Sequence, residues 1–102
     1  MSILHTVNKS PFEKNSLDEC LTHSMDGSAI LLLEDGVYAA MQGTSVESDL
    51  KNALASKKVY ALSADIKLRG LSADRLIEGI EVVDYAGFVD LTESNDKVQS
   101  WL

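Results

Sequence analysis

An uninterrupted run of five apolar residues, from Ala29 to Leu33, ends at the turn signal Glu34-Asp35-Gly36. A short apolar run without a helical period is typical of a strand that is buried on both faces of a sheet. Strands of this kind lie in the middle of α/β sheets, where ligands and partners meet the carboxyl ends. The pattern therefore predicts that this strand is the centre of the fold.

Three further segments have the composition of strands: residues 2–7, 57–62 and 80–84. Four helical segments are predicted between them, namely residues 16 to about 26, 37–42, a segment from Thr44 or Ser45 to about residue 54, and 63–69. The first of these opens with Ser16 and Glu19 at the spacing of a capping box. The tail, residues 85–102, is predicted to form one or two short helices and could hide a fifth strand.

Strands that alternate with helices at this spacing predict parallel βαβ units. The expected fold class is therefore α/β: a three-layer α/β/α sandwich with a mainly parallel, four- or five-stranded sheet. A chain of 102 residues can bury roughly 60–65% of its unfolded surface. Because the sequence shows no repeat, linker or low-complexity segment, we expect a single domain over residues 1–102.

The charge balance argues against direct nucleic-acid binding. Nine basic and sixteen acidic residues give a net charge of −7, and no basic cluster is longer than Lys57-Lys58. A phosphate backbone would be repelled by such a surface. We therefore expect protein partners and no direct nucleic-acid partner.

The cysteine count and the N-terminal residues bear on localisation. One cysteine, Cys20, excludes a disulfide within the chain and favours a reducing compartment. The N-terminus lacks the basic region and apolar core of a signal peptide or membrane anchor. We expect a cytoplasmic protein without membrane attachment.

Several kinds of active site are disfavoured by the sequence. Gly36 and Gly43 are too far apart for a phosphate-binding glycine loop, and there is no Gly-x-Ser-x-Gly motif. The soft metal ligands are His5, Cys20 and His23, which have no paired spacing. We therefore expect no metal and no cofactor.

Cys20 is the candidate for chemistry. It lies in the opening turns of a helix, where the helix dipole favours a thiolate, and His23 follows at i+3; Asp18 and Glu19 oppose the thiolate. Because these effects are each on the order of 1 kcal/mol, we expect near-normal acidity. The alternative is a small buried hydrophobe on the Leu17 face of the helix.

Glu34-Asp35-Gly36 is either a solvated turn that caps the next helix or a small-ligand site.

Several stretches, taken in order, resemble one protein family. They are ILHTVNKSP at residues 3–11, LLLEDGVYAA at 31–40, VYAL at 59–62, Asp65, Arg69-Gly70, DYAGFVDLT at 84–92, and Trp101. Together they cover nearly the whole chain without large gaps. The set resembles the DsrH/TusB family of sulfur-relay proteins.

The resemblance implies a subunit of a heterohexameric sulfurtransferase that contains two copies each of three homologous α/β subunits. Its partners would be DsrE/TusD-like and DsrF/TusC-like subunits and a small DsrC/TusE-type carrier, which receives persulfide sulfur. The principal sulfur-accepting cysteine of the family lies on the DsrE/TusD subunit, so this chain is not expected to be catalytic alone. Cys20 is then a possible secondary persulfide site.

The resemblance also bears on the pathway. DsrH proteins of sulfur oxidisers carry a cysteine at the position of Cys20, and some TusB proteins lack it. Cys20 and the sequence DYAGFVD at residues 84–90 therefore favour a DsrH-like role in sulfur oxidation. The alternatives are a TusB-like role in tRNA wobble-uridine 2-thiolation and a purely structural subunit.

Four apolar residues of the tail are expected to be covered by a partner or to pack on the chain's own sheet: Phe88, Val89, Leu91 and Trp101.

Overall fold

The computed structural model describes residues 2–102, which are built around one five-stranded sheet. The strands are β1 (Ile3–Val7), β2 (Ala29–Leu32), β3 (Lys58–Leu62), β4 (Glu81–Val83) and β5 (Lys97–Trp101). Their spatial order is β4-β3-β2-β1-β5, and every neighbouring pair is parallel. The predicted α/β class with a parallel sheet is confirmed, and β2 is the central strand.

Helical segments connect the strands. They are α1 (Ser16–His23), a 3₁₀ helix (Glu34–Ala40), α2 (Glu47–Ala53), α3 (Ser63–Leu68), a short 3₁₀ turn (Ala73–Arg75) and α4 (Tyr85–Ser94). The chain steps in one direction from β1 to β4, so right-handed crossovers place α1, α2 and α3 on one face. The return from β4 to β5 runs the opposite way and places α4 on the other face. The result is the predicted three-layer sandwich.

The core has two unequal halves, one on each face of the sheet. The larger half lies under α1, α2 and α3 and includes Ile30 and Leu32 of β2. The smaller half includes Leu31 of β2, against which Phe88 and Leu91 of α4 pack. All four residues of β2 are buried, as the apolar run predicts.

The tail contains one of the predicted helices and also the fifth strand that the sequence left open. Residues 85–94 form one helix, α4, but residues 97–101 form the edge strand β5 beside β1 rather than a second helix. An edge strand has little buried surface, and four of the five residues of β5 are exposed. Its apolar pattern is therefore weak, and its pairing partner lies 94 positions earlier in the chain.

The predicted capping box is wrong, although α1 does begin at Ser16. Asn15 is the N-cap residue, and no side-chain hydrogen bond caps the helix. Glu19 Oε1 instead accepts a hydrogen bond from the Asn15 side-chain amide over 3.3 Å. The helix also ends earlier than predicted, at His23.

The segment after β2 is a 3₁₀ helix that begins at Glu34, three residues before the predicted start at residue 37. Glu34 has a left-handed backbone, with φ of 50°, and the Gly36 amide donates back to the Leu33 carbonyl over 2.9 Å. This tight turn carries the chain directly from the end of β2 into the helix. Within residues 2–102, no helix is long and apolar enough to cross a membrane.

Candidate functional site

Cys20 lies inside the larger half of the core. Its side chain is fully buried in the same apolar cluster as Leu17 and Val7. Burial raises the pKa of Cys20 to about 12, and the nearby charge of Lys57 only partly opposes this rise. The expectation of near-normal acidity is therefore wrong, because desolvation of the thiolate outweighs the dipole of α1. A thiol in this position has the properties of a small buried hydrophobe.

His23 does not act on Cys20 in this geometry. Its imidazole stacks on the indole of Trp101, with ring centroids 6.2 Å apart and an angle of 6° between the planes. No hydrogen bond of residues 2–102 joins His23 to the Cys20 sulfur. The contact therefore links the end of α1 to β5 instead of activating a thiol.

His5, which the sequence offers only as an isolated metal ligand, is a buried polar residue that pairs with Trp101. It is 4% exposed, and its Nδ1 accepts a hydrogen bond of 3.1 Å from the Trp101 indole nitrogen. An imidazole whose Nδ1 accepts carries its proton on Nε2, and this Nε2 is buried without a partner. Desolvation, followed by the charge of Lys57, lowers the pKa of His5. The pair thus requires neutral His5.

A cluster of charged side chains lies at the carboxyl ends of β2 and β3. Asp65 Oδ2 accepts from the Glu34 backbone amide over 2.7 Å. Arg69 reaches Asp35 Oδ1 with both Nε and Nη2 at 2.9 Å, and its Nη1 lies 3.4 Å from Asp65 Oδ1. The cluster therefore holds the start of the 3₁₀ helix against α3, and its charges are directed at one another.

Gly36 completes this turn through a very close backbone approach. A Cβ atom at this position would lie 2.1 Å from the carbonyl oxygen of Val7, which already accepts from the Leu33 amide over 3.1 Å. The turn is packed against the end of β1. Glu34 and Asp35 remain exposed, as expected for a solvated turn, and their contacts favour that interpretation over a ligand site.

The apolar tail residues divide between two environments. Phe88 and Leu91 pack on the smaller half of the core, and Trp101 packs on the larger half. Val89 is 52% exposed, and Tyr85, one helical turn before it, is 60% exposed. These two residues, which we call the α4 stripe, form an apolar surface that the chain itself does not cover.

Potential metal ligands are scattered over the described part of the chain. Residues 2–102 contain no group of three or more His, Cys, Asp or Glu side chains placed to hold an ion. Cys20 is the one thiol in the sequence.

Solved structures share this fold. The ychN protein from E. coli matches with a TM-score of 0.85 over 98% of both chains, at 23% sequence identity. The MTH1491 protein from Methanobacterium thermoautotrophicum matches with a TM-score of 0.69 over 96% of both chains, at 16% identity. The chain is thus an α/β protein with the architecture of the ychN protein.

Sequence comparison adds the family. The family described as DsrH like protein matches residues 9–98. Protein TusB of Escherichia coli O1:K1 is 37% identical over 99 residues, which cover 97% of this chain and 100% of that protein. Protein TusB of Shigella flexneri is 36% identical over the same share of both chains. The chain belongs to the DsrH/TusB family, as its resemblance indicates.

Proposed function

We propose that the chain is a TusB-like subunit of a sulfur-relay complex that serves tRNA wobble-uridine 2-thiolation in the cytoplasm. The observation that carries this proposal is the match to TusB proteins over their whole length. It favours the TusB-like alternative over the DsrH-like role in sulfur oxidation. The proposed partners are TusD-like and TusC-like subunits and a TusE-type sulfur carrier.

Within such a complex, we assign this chain a structural role. Sulfur transfer needs a thiolate that attacks a sulfane sulfur. The Cys20 thiol is buried, and its pKa of about 12 leaves on the order of one thiolate in 10⁵ at neutral pH. These properties support an apolar packing role for Cys20. The α4 stripe offers a surface on which a homologous subunit could pack.

Complementation tests the proposed pathway. Expression of this chain in an E. coli strain that lacks TusB should restore 2-thiolation at the wobble uridine, measured by mass spectrometry of nucleosides from purified tRNA. Cys20→Ala should restore it equally well. Failure of the wild-type chain to restore thiolation, although it co-purifies with the host's TusC and TusD, would contradict the tRNA assignment.

Cys20 as a secondary persulfide site stays a prediction from the sequence and has its own test. The complex is exposed to a low-molecular-weight persulfide, and each subunit is then weighed by intact mass spectrometry. The structural assignment expects the mass of one added sulfur on a partner subunit and none on this chain. If the wild-type chain gains the mass of one sulfur and the Cys20→Ser variant does not, the structural assignment is overturned. The DsrH-like interpretation is then restored.

A further inference from the structure

A groove separates α1 from α2 on the face that carries the larger half of the core. Each helix packs on other elements, and the two make few contacts with each other. Two adjoining cavities of about 300 and 280 Å³ occupy the gap and share Asp18, Leu21 and Asp49 as lining residues. Leu17 and Val46 line the first cavity, so the floor of the groove is apolar.

The middle of the groove is lined by carboxylates, and one lysine lines each of the two cavities. Asp18 on α1 and Asp49 on α2 line its middle, where the two cavities meet, and Glu13 lines the first cavity. Among residues 2–102, none of these three carboxylates forms an ion pair with a basic side chain. Lys14 lines only the first cavity and Lys57 only the second, where the Lys57 ammonium donates to the Leu21 carbonyl over 3.2 Å. The middle of the groove is therefore acidic and unpaired.

We propose that this groove binds a short segment of another protein that places one arginine or lysine between apolar side chains. The cation would meet Asp18 and Asp49 together, and the apolar side chains would cover Leu21 and Val46. The eight residues of α1 make the groove about 12 Å long, which matches roughly four residues of extended chain. The net charge of −7 favours a basic segment and disfavours an anionic membrane or a nucleic acid.

The test uses the full-length chain, purified with any subunits that assemble with it, and a fluorescein-labelled Leu-Arg-Leu-Ala amide. Fluorescence anisotropy should show saturable binding of this peptide. Replacement of its arginine by uncharged citrulline should weaken binding about fivefold, as should the double variant Asp18→Asn/Asp49→Asn in the chain. Leu21→Gln should weaken it as well, because the apolar floor is lost.

The matched control is Asp90→Asn/Glu93→Gln, which removes the same number of charges from exposed positions on α4. This variant should bind the arginine peptide within twofold of wild type. Equal binding of the arginine and citrulline peptides, equal weakening by the two double variants, or no binding at any protein concentration would overturn the proposal. Circular dichroism of each variant confirms that the fold is retained.

Discussion

At the scale of single residues, the thiol of Cys20 is the feature that most changes the functional interpretation. Its pKa rises from 9.0 to about 12 because the side chain is buried. We expect the native chain to react with Ellman's reagent at least on the order of 1000-fold more slowly than the urea-unfolded chain, since the thiolate fraction falls by that factor. Stopped-flow absorbance measures both rates. Comparable rates in the two states would show that Cys20 is accessible.

His5 predicts a dependence of stability on pH. Its pKa is lowered in the folded chain, by desolvation and by Lys57, so the unfolded chain binds more protons below about pH 6.5. The free energy of unfolding should therefore decrease as pH falls below that value, while protonation of Nδ1 removes the acceptor for Trp101. Urea unfolding at several pH values, followed by fluorescence of this single tryptophan, measures the effect.

Two variants separate this effect from the titration of other groups. His5→Gln should flatten the dependence between about pH 7.5 and 5.5, because the titrating group is gone. His23→Gln should preserve it, since His23 is exposed and is not the acceptor for the Trp101 indole nitrogen. A profile that is the same in His5→Gln and wild type would assign the dependence to other groups.

The sequence could predict part of the candidate site. The spacing of Leu17, Cys20 and Leu21 correctly predicts a shared helix face, and burial of that face was one of the two alternatives for the thiol. Its acidity could not be predicted, because desolvation depends on how completely the sheet covers α1. The pairing of His5 with Trp101 was also beyond reach, since it requires β5 to lie beside β1.

At the scale of elements, the turn after β2 depends on Gly36. Gly36→Ala would place a methyl group 2.1 Å from the Val7 carbonyl oxygen, so β1 and the 3₁₀ helix would have to separate. We expect a loss of more than about 2 kcal/mol in the free energy of unfolding. Urea denaturation measures this loss. If the variant does not fold, the yield of soluble protein falls instead.

Gly27→Ala is the matched control for this substitution. Gly27 has φ of +85° and no atom within 4 Å of an added Cβ, so only backbone strain of about 1 kcal/mol is expected. If the two variants lose equal stability, the close approach at Gly36 has no special cost.

Elements with strong apolar patterns could be predicted from the sequence, and those held by distant partners could not. The continuous apolar run predicts the buried strand β2, and Gly70 predicts the end of α3. Gly70 indeed adopts φ of +65°. The segment Lys97–Trp101 alternates weakly and is exposed, so its local signal cannot separate strand from helix. Only pairing with β1 makes it a strand.

At the scale of the whole molecule, the α4 stripe predicts dependence on partner subunits. Val89→Asp should reduce co-purification with TusC-like and TusD-like subunits severalfold, because a charge would be buried in the proposed contact. The fold should be unaffected, since Val89 is half exposed. Glu93→Gln, an exposed polar change on the same helix, should co-purify like wild type. Pull-down through a tagged partner measures both, and equal recovery of the two variants would exclude this stripe from the interface.

The net charge predicts the behaviour of the chain toward RNA. Because its net charge is −7, the isolated chain should not bind tRNA in gel-shift assays at moderate salt. Contacts to phosphate need clustered basic residues. Any link to tRNA would then run through a downstream carrier. A shift that weakens steeply with added salt would contradict this expectation.

The position of β5 has a consequence for how the protein is made. β1 is synthesised first but lies between β2 and β5, and the Ser2 amide and hydroxyl both contact Asp96, the residue before β5. Ribosomes add about 5–20 residues per second, so β1 waits several seconds for its second neighbour. During that interval one edge of β1 is open to pairing with other nascent chains. A ribosome-bound chaperone, or early contact with a partner subunit, would protect that edge until translation passes residue 101.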